Sequence, residues 1–199
     1  KFLALLTLMF GMGLAIQHSS AVRRGIRWPG RYLWRAALLF VDGVVNYILI
    51  AEFDVLMGYA ITAAVVSWML LSSPRAQRRL MIGFAVAHVT LLGLVTTAVA
   101  LTQSSYRPGH WRGPNPYADG SFTDLVAFRL DNLVMFRFEP VLIGFGCVAM
   151  FLLGARLLRA GVFTADGAAL RRRLMLIGAA AFPLDLALGT FGGAAGVIA

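Results

Sequence analysis

Apolar residues run almost unbroken through six stretches of this chain, at roughly 2–17, 33–51, 55–73, 80–103, 140–158 and 174–199, and polar residues gather between them. A helix that crosses the hydrocarbon core of a bilayer needs about 20 residues, with slack where arginines at its ends snorkel to the interface. The second and fifth stretches use that slack. The pattern therefore predicts an all-α, polytopic transmembrane helix bundle with about six spanning helices in a single domain over 1–199. The longest polar connection, 104–139, has two parts. Ser104 to Thr123 is dense in Pro, Gly and Asn and reads as loop. From Asp124 to Glu139 the spacing predicts an interfacial helix that puts Asp124, Asp131, Asn132 and Glu139 on one face, and Pro140 starts the fifth span. That connection is either a solvated cap over the bundle or a lid and acceptor site.

Charge orients the pattern. Thirteen of the eighteen basic residues fall into three clusters: Arg23, Arg24, Arg27, Arg31 and Arg35; Arg75, Arg78 and Arg79; Arg156, Arg159, Arg171, Arg172 and Arg173. Every second connection is thus basic, whereas Glu52, Asp54, Asp119, Asp124, Asp131 and Glu139 lie in the intervening ones. Positive charge is retained on the cytoplasmic face, so loops 18–35, 74–79 and 156–173 are expected there and loop 104–139 outside. Trp28, Tyr32, Trp34 and Trp68 fall near the inner ends of the second and third stretches, where amphipathic rings anchor at the interface. The chain is already apolar at Lys1, with no initiator methionine, and so reads as a piece of a longer protein.

Composition supports hydrocarbon as the main solvent. The chain is 59% hydrophobic and 14% charged, and its mean hydropathy is +0.77, too little polar material to cover a soluble globule. A net charge of +9 raises nucleic acid as a partner, but binders of that kind concentrate Lys and Arg on one solvated face with stacking aromatics. Here the charges punctuate apolar runs, so nucleic acid is excluded and the lipid bilayer is the partner. Cys147, the single cysteine, excludes an intramolecular disulfide and a cysteine-rich metal site. His18, His88 and His110 sit on different segments without metal-ligand spacing, so no metal is expected.

Candidate chemistry centres on the second stretch. Arg31, Arg35, Asp42 and Asn46, at spacings of 4, 7 and 4, share one helix face. A carboxylate near the bilayer centre costs about 2.5–3.5 kcal/mol even on insertion scales, so Asp42 is expected to face the protein interior. The stripe either fixes helix packing or serves catalysis, binding or proton transfer. The turn Glu52-Phe53-Asp54 supplies two carboxylates that can work as acid and base, although Asp54 suits equally the cap of the third helix. His88 is an interhelical hydrogen-bond donor or a site residue, and Asp185, two residues after Pro183, is a buried pathway candidate beside a kink. Gly11, Gly13, Gly144, Gly146 and the glycines from Gly189 to Gly196 let helices approach closely.

The runs KFLALLTLMFGMGLAIQ, RYLWRAALLFVDGVVNYILIAEFDVLMGYAITA and AMFLLGARLLRAGVF resemble, in the same order, the YeiB-like bacterial membrane proteins that carry a C-terminal domain of unknown function. The resemblance covers essentially the whole chain. Its most specific parts are FGMGLA, the acidic turn with Asp54-Val55-Leu56 and Tyr59-Ala60, and Gly154 with Arg159 and Gly161. The family's earlier Asp-x-x-Arg-Gly helix and its later helices have no counterpart here. Family members look distantly similar to transmembrane acyltransferases such as the lysosomal heparan glucosamine acetyltransferase. That likeness implies an acyl-CoA co-substrate entering from the cytoplasm, with its phosphates at Arg31 and Arg35, and an envelope glycan or lipid acceptor outside. Glu52 or Asp54 would then be the base, with Asp42 in support and Asn46, Tyr59, His88 and Asp185 along the substrate path. Where the family commonly has histidine this chain has Asn46, so histidine catalysis at that position does not carry over. The alternative is a non-enzymatic transporter or an accessory subunit of a larger membrane complex.

Overall fold

A computed structural model describes residues 2–103 and 116–187. All regular structure among them is helical: α1 (Phe2–Arg23), α2 (Tyr32–Leu49), α3 (Leu56–Met69), α4 (Pro74–Gln103), α5 (Pro116–Asp119), α6 (Phe122–Asp131), α7 (Leu133–Arg159) and α8 (Ala168–Ala187), with a 3-10 turn at Ala165–Gly167 before α8. The protein is an all-α bundle, as the apolar pattern requires.

The count of spanning helices needs correcting. Among the described residues four segments, Phe2–Arg23, Tyr32–Leu49, Pro74–Thr102 and Val141–Arg159, are long and apolar enough to cross a membrane. The third predicted span forms α3, whose 14 residues reach only ~21 Å at 1.5 Å per residue, against a hydrocarbon core of about 30 Å. The sixth, predicted from 174, falls in part on α8, whose first turns carry Arg171, Arg172 and Arg173 just ahead of it, and its portion 188–199 lies outside the described residues. Boundaries shift as well. Pro74 begins α4 because it needs no N–H partner at a helix start, and the Ser73 hydroxyl accepts the Ala76 N–H at 3.2 Å. Asn132 separates α6 from α7, and α7 runs through position 140 without a break, so Pro140 is not at a helix start, although the segment long and apolar enough to span begins directly after it at Val141. The predicted helix 124–139 is therefore two helices.

The core lies where α1, α3 and α7 meet, around Leu14, Ala15, Tyr59, Ala63, Val66, Phe151, Leu152 and Ala155. Lipid tails are as apolar as these side chains, so close backbone approach has to supply the packing that water would otherwise drive. Two glycines provide it. A Cβ on Gly11 would stand 2.2 Å from the Phe151 carbonyl oxygen, and one on Gly154 would stand 2.2 Å from that of Leu8. The rings of Phe10, Tyr59 and Phe151 fill the space beside this seam, with Phe10 and Tyr59 centroids 5.1 Å apart. Around the core, α4 packs on α7, and α2 packs on α3 and α6.

The basic connections converge on one end of the bundle. Trp28 Nε1 donates to the Ser67 carbonyl at 2.8 Å, Arg159 to Gln77 Oε1 at 2.8 Å, and Arg156 to the Pro74 carbonyl at 3.4 Å. Gly161, at φ +75°, turns the chain out of α7. Its N–H bonds the Leu158 carbonyl while that of Val162 bonds Leu157, the paired bonds of a Schellman stop that favours glycine. Arg171 then ties the following loop by donating to the carbonyls of Val162 and Thr164.

Candidate functional site

The polar residues singled out in the sequence separate into two clusters at opposite ends of α2. Asn46 follows Arg35 by eleven positions, ~16 Å along a helix axis.

At the acidic end the α2–α3 turn is held by side chains. Asn46 Nδ2 donates to Asp54 Oδ1 at 2.8 Å, and Asp54 Oδ2 accepts the Met57 N–H at 3.2 Å. Asp54 is only 4% exposed, and it caps the first turn of α3, where the positive dipole end favours a carboxylate. Gly43 makes room for it: a Cβ there would lie 2.8 Å from Asp54 Oδ2 and 2.7 Å from the Met57 nitrogen. Glu52 meets Arg129, with Oε2 3.4 Å from Nε, and accepts the Tyr117 hydroxyl at 2.7 Å. Arg129 also donates to the carbonyls of Ile48 at 3.0 Å and Ile50 at 3.1 Å, which the helical ladder leaves over at the end of α2. Tyr47 donates back to the Arg129 carbonyl at 2.5 Å. Burial pushes the Glu52 carboxyl upward, but Tyr117 and Arg129 outweigh it and hold the group below its ordinary 4.5. The Tyr117 hydroxyl is raised, first by its bond to Glu52 and then by burial.

At the basic end Arg24, Arg27, Arg31 and Arg35 line a groove of about 400 Å³ together with Gln17, Trp28 and Tyr32, and no carboxylate is among its lining residues. Trp28 and Tyr32 stack with centroids 5.1 Å apart, and the edge of His18 meets Trp28. Arg35 reaches across to α1, donating to Gln17 Oε1 at 2.8 Å. A separate apolar groove of about 460 Å³ between α1 and α2 adjoins it, sharing Gln17, Tyr32 and Arg35 and otherwise lined by Leu6, Met9, Phe10, Gly13, Leu14, Ala36 and Leu39. Neither groove has Asp54 or Glu52 among its lining residues.

The remaining candidates lie elsewhere. Asp42 is exposed on α2, contrary to the expectation that it faces inward. The buried residues of α2 are Ala36, Gly43 and Tyr47, and the close contact of Gly43 with Met57 turns the neighbouring Asp42 outward. Tyr59 is buried in the core, its hydroxyl 2.7 Å from Thr7 Oγ1 and donating to the Leu3 carbonyl at 3.1 Å. His88 bridges α4 and α7, with Nδ1 3.3 Å from the Leu142 carbonyl oxygen and its ring over Gly146. Asp185 is exposed on α8, so the expectation of a buried acid fails there. In α6, Asp124 is taken up by a capping box with Ser121, whose hydrogen bonds lower its carboxyl; it serves the helix start instead of a shared acidic face. His110 lies outside the described residues, as does the side chain of Glu139.

Arg129, Tyr117 and Gln17 are the site residues that sequence reasoning missed. Arg129 is 77 positions from Glu52, and only its burial, at 5% exposure, marks it out from the other loop arginines.

Fold and ends together define an integral membrane protein built from a helical bundle. Its chain is similar to the uncharacterized protein YxaH of Bacillus subtilis (strain 168), at 25% identity over 174 residues that cover 78% of this chain and 42% of that relative. The chain thus spans less than half the length of the relative it matches. No family model matches it, and no solved structure does.

Proposed function

We propose that this chain is part of an integral membrane acyltransferase of the YeiB-like kind, seated in a bacterial plasma membrane with its basic end in the cytoplasm and the Glu52 end outside. The observation that carries the reading is the groove where four arginines converge with no carboxylate among its lining residues. Guanidinium groups in that arrangement suit the phosphates of an acyl-CoA donor, through bidentate, charge-assisted bonds. An acceptor hydroxyl or amine would attack the thioester carbonyl. The new C–O or C–N bond replaces the C–S bond, the acceptor's proton passes to a carboxylate, and coenzyme A leaves as a thiolate that is then protonated. Glu52, with its side chain 16% exposed and its carboxyl held ionised, is the base within reach of an acceptor outside; Asp54 and Asn46 position the turn that carries it.

The test follows label from radiolabelled acyl-CoA into envelope glycans and lipids, in membranes carrying the full-length protein. Transfer is expected from the wild type, and its loss from Glu52→Gln and from the Arg31→Glu/Arg35→Glu pair while insertion is unchanged. Transfer that persists in both variants contradicts the proposal. A second reading, a non-enzymatic transporter or an accessory subunit of a larger complex, is favoured by the structural bonds that hold Glu52 and Asp54. Co-purification with a fixed partner at constant stoichiometry would support it.

A further inference from the structure

Asp42 stands in the middle of α2, seven residues from Arg35 and seven from Leu49, ~10 Å along the helix axis each way. It is exposed, and among the described residues its carboxylate has no hydrogen-bond or ion-pair partner. Acids inside spanning helices are not left against hydrocarbon; they face protein or water and pair there. The bundle covers the neighbouring Gly43 and leaves Asp42 bare, so its partner lies beyond the described residues. Nor is Asp42 isolated on its face. Arg35, Leu38, Asp42, Val45 and Leu49 follow one another at spacings of 3, 4, 3 and 4, the pattern of a seam that packs against another helix at a shallow angle. All five are exposed, Leu38 at 67%, Val45 at 47% and Leu49 at 45%. Lipid tails would cover the apolar members equally well, but they offer nothing to the carboxylate. One polar residue within an apolar seam fixes which helix docks and in what register.

Charge selects the occupant. In the four helices long enough to cross a membrane, every described arginine lies in the first two turns or the last. His88, in the middle of α4, is turned to α7. A second copy of these residues would therefore bring no cation to the depth of Asp42, and two copies meeting on this seam would set carboxylate toward carboxylate or toward apolar side chains. The part of YxaH that this chain matches is 42% of that relative, so more than half of the relative lies outside the match. We infer that the seam Leu38, Asp42, Val45 and Leu49 seats a further spanning helix of the same, longer polypeptide, one that carries a lysine or arginine at mid-membrane depth to pair with Asp42. The inference does not depend on the acyltransferase reading.

The experiment puts the photoreactive residue p-benzoylphenylalanine in place of Val45, one turn beyond Asp42 on the seam, and maps the adducts by mass spectrometry in membranes carrying the full-length protein. An adduct within the polypeptide is expected, to a segment outside 1–199 that contains a lysine or arginine. Adding Asp42→Lys, which sets like charges together, is expected to reduce its yield at least about tenfold. An internal adduct that keeps its full yield in that variant overturns the pairing. An adduct to lipid alone, one at twice the mass of the protein, or one to a different protein overturns the inference and assigns the seam to the bilayer, a second copy or a separate subunit. The probe at Val45 retains Asp42, so these outcomes need no charge variant to fold. Thermal melting of Asp42→Leu gives an independent sign: a fall is expected, because a buried cation loses its partner, whereas an unchanged or higher melting temperature is the result for a position that faces lipid and overturns the inference.

Discussion

The two ends of α2 use charge in opposite ways. At the Glu52 end most of the charged groups are spent on the fold: Arg129 closes the end of α2 and meets Glu52, and Asp54 caps α3 and holds Asn46. At the other end Arg24, Arg27, Arg31 and Arg35 are all exposed around a groove that no carboxylate lines. A buried charge persists only if it is paired and hydrogen-bonded, so the first arrangement explains itself through stability. Four like charges side by side repel one another, and an anionic ligand or phosphate-bearing surface relieves that repulsion. The difference separates an end built mainly to hold the bundle, with Glu52 left partly exposed for the proposed proton transfer, from an end that serves a ligand.

The contrast can be broken most forcefully from beneath, at the seam on which both ends depend. Gly154→Leu places a side chain where a Cβ already stands 2.2 Å from the Leu8 carbonyl oxygen. The expected cost is about 3 kcal/mol or more, read as loss of the folded protein in detergent during a thermal scan. Next comes Arg129→Ala, which leaves Glu52 without its cation and the Ile48 and Ile50 carbonyls without their donor. A loss of about 2–4 kcal/mol is expected, and Glu52→Gln should lose less, because the carbonyl bonds remain. A smaller effect is expected from pH. The Glu52 carboxyl is depressed in the folded protein, so the stability it contributes is complete above its ordinary 4.5 and is lost as the pH falls through the lower, folded value. Glu52→Gln should flatten the melting curve in that acid range, and an unchanged profile would show that the Arg129 contact is not ionic in origin.

Much of the fold was legible because its cause is local and repetitive. Apolar length and alternating arginines announce helices and their grouped ends, and of the glycines expected at close approaches Gly11 and Gly146 do meet a neighbouring helix, whereas Gly13 and Gly144 face open space and the tight contact at Gly154 was not foreseen. The short α3 was harder to read. Its apolar run is continuous with the turns around it, and only the Asp54 cap and the Leu70 exit cut it to 14 residues. At the site, Arg31 and Arg35 were legible as a pair on one helix face, and Asp54 as a cap or a base. Asp42 was misread because a stripe on a helical wheel does not say which neighbour claims the helix, and that was decided by Gly43 against Met57. Arg129 and Tyr117 were hidden for a different reason. Their partner Glu52 lies at least 65 positions away, and no periodicity connects a loop arginine to the end of a distant helix.

The smallest expected effect on stability carries the most direct test. Arg31 and Arg35 are exposed, so the pair Arg31→Ala/Arg35→Ala should melt within about 0.5 kcal/mol of the wild type. Thermal melting of both proteins, full length and in phosphatidylcholine nanodiscs, with and without saturating acetyl-CoA, compares the two roles in one experiment. Matching curves are expected without ligand, and a ligand-induced rise in the wild type alone. A double variant that melts far below the wild type without ligand, or that keeps the full rise with it, would contradict the division of labour between the two ends of α2.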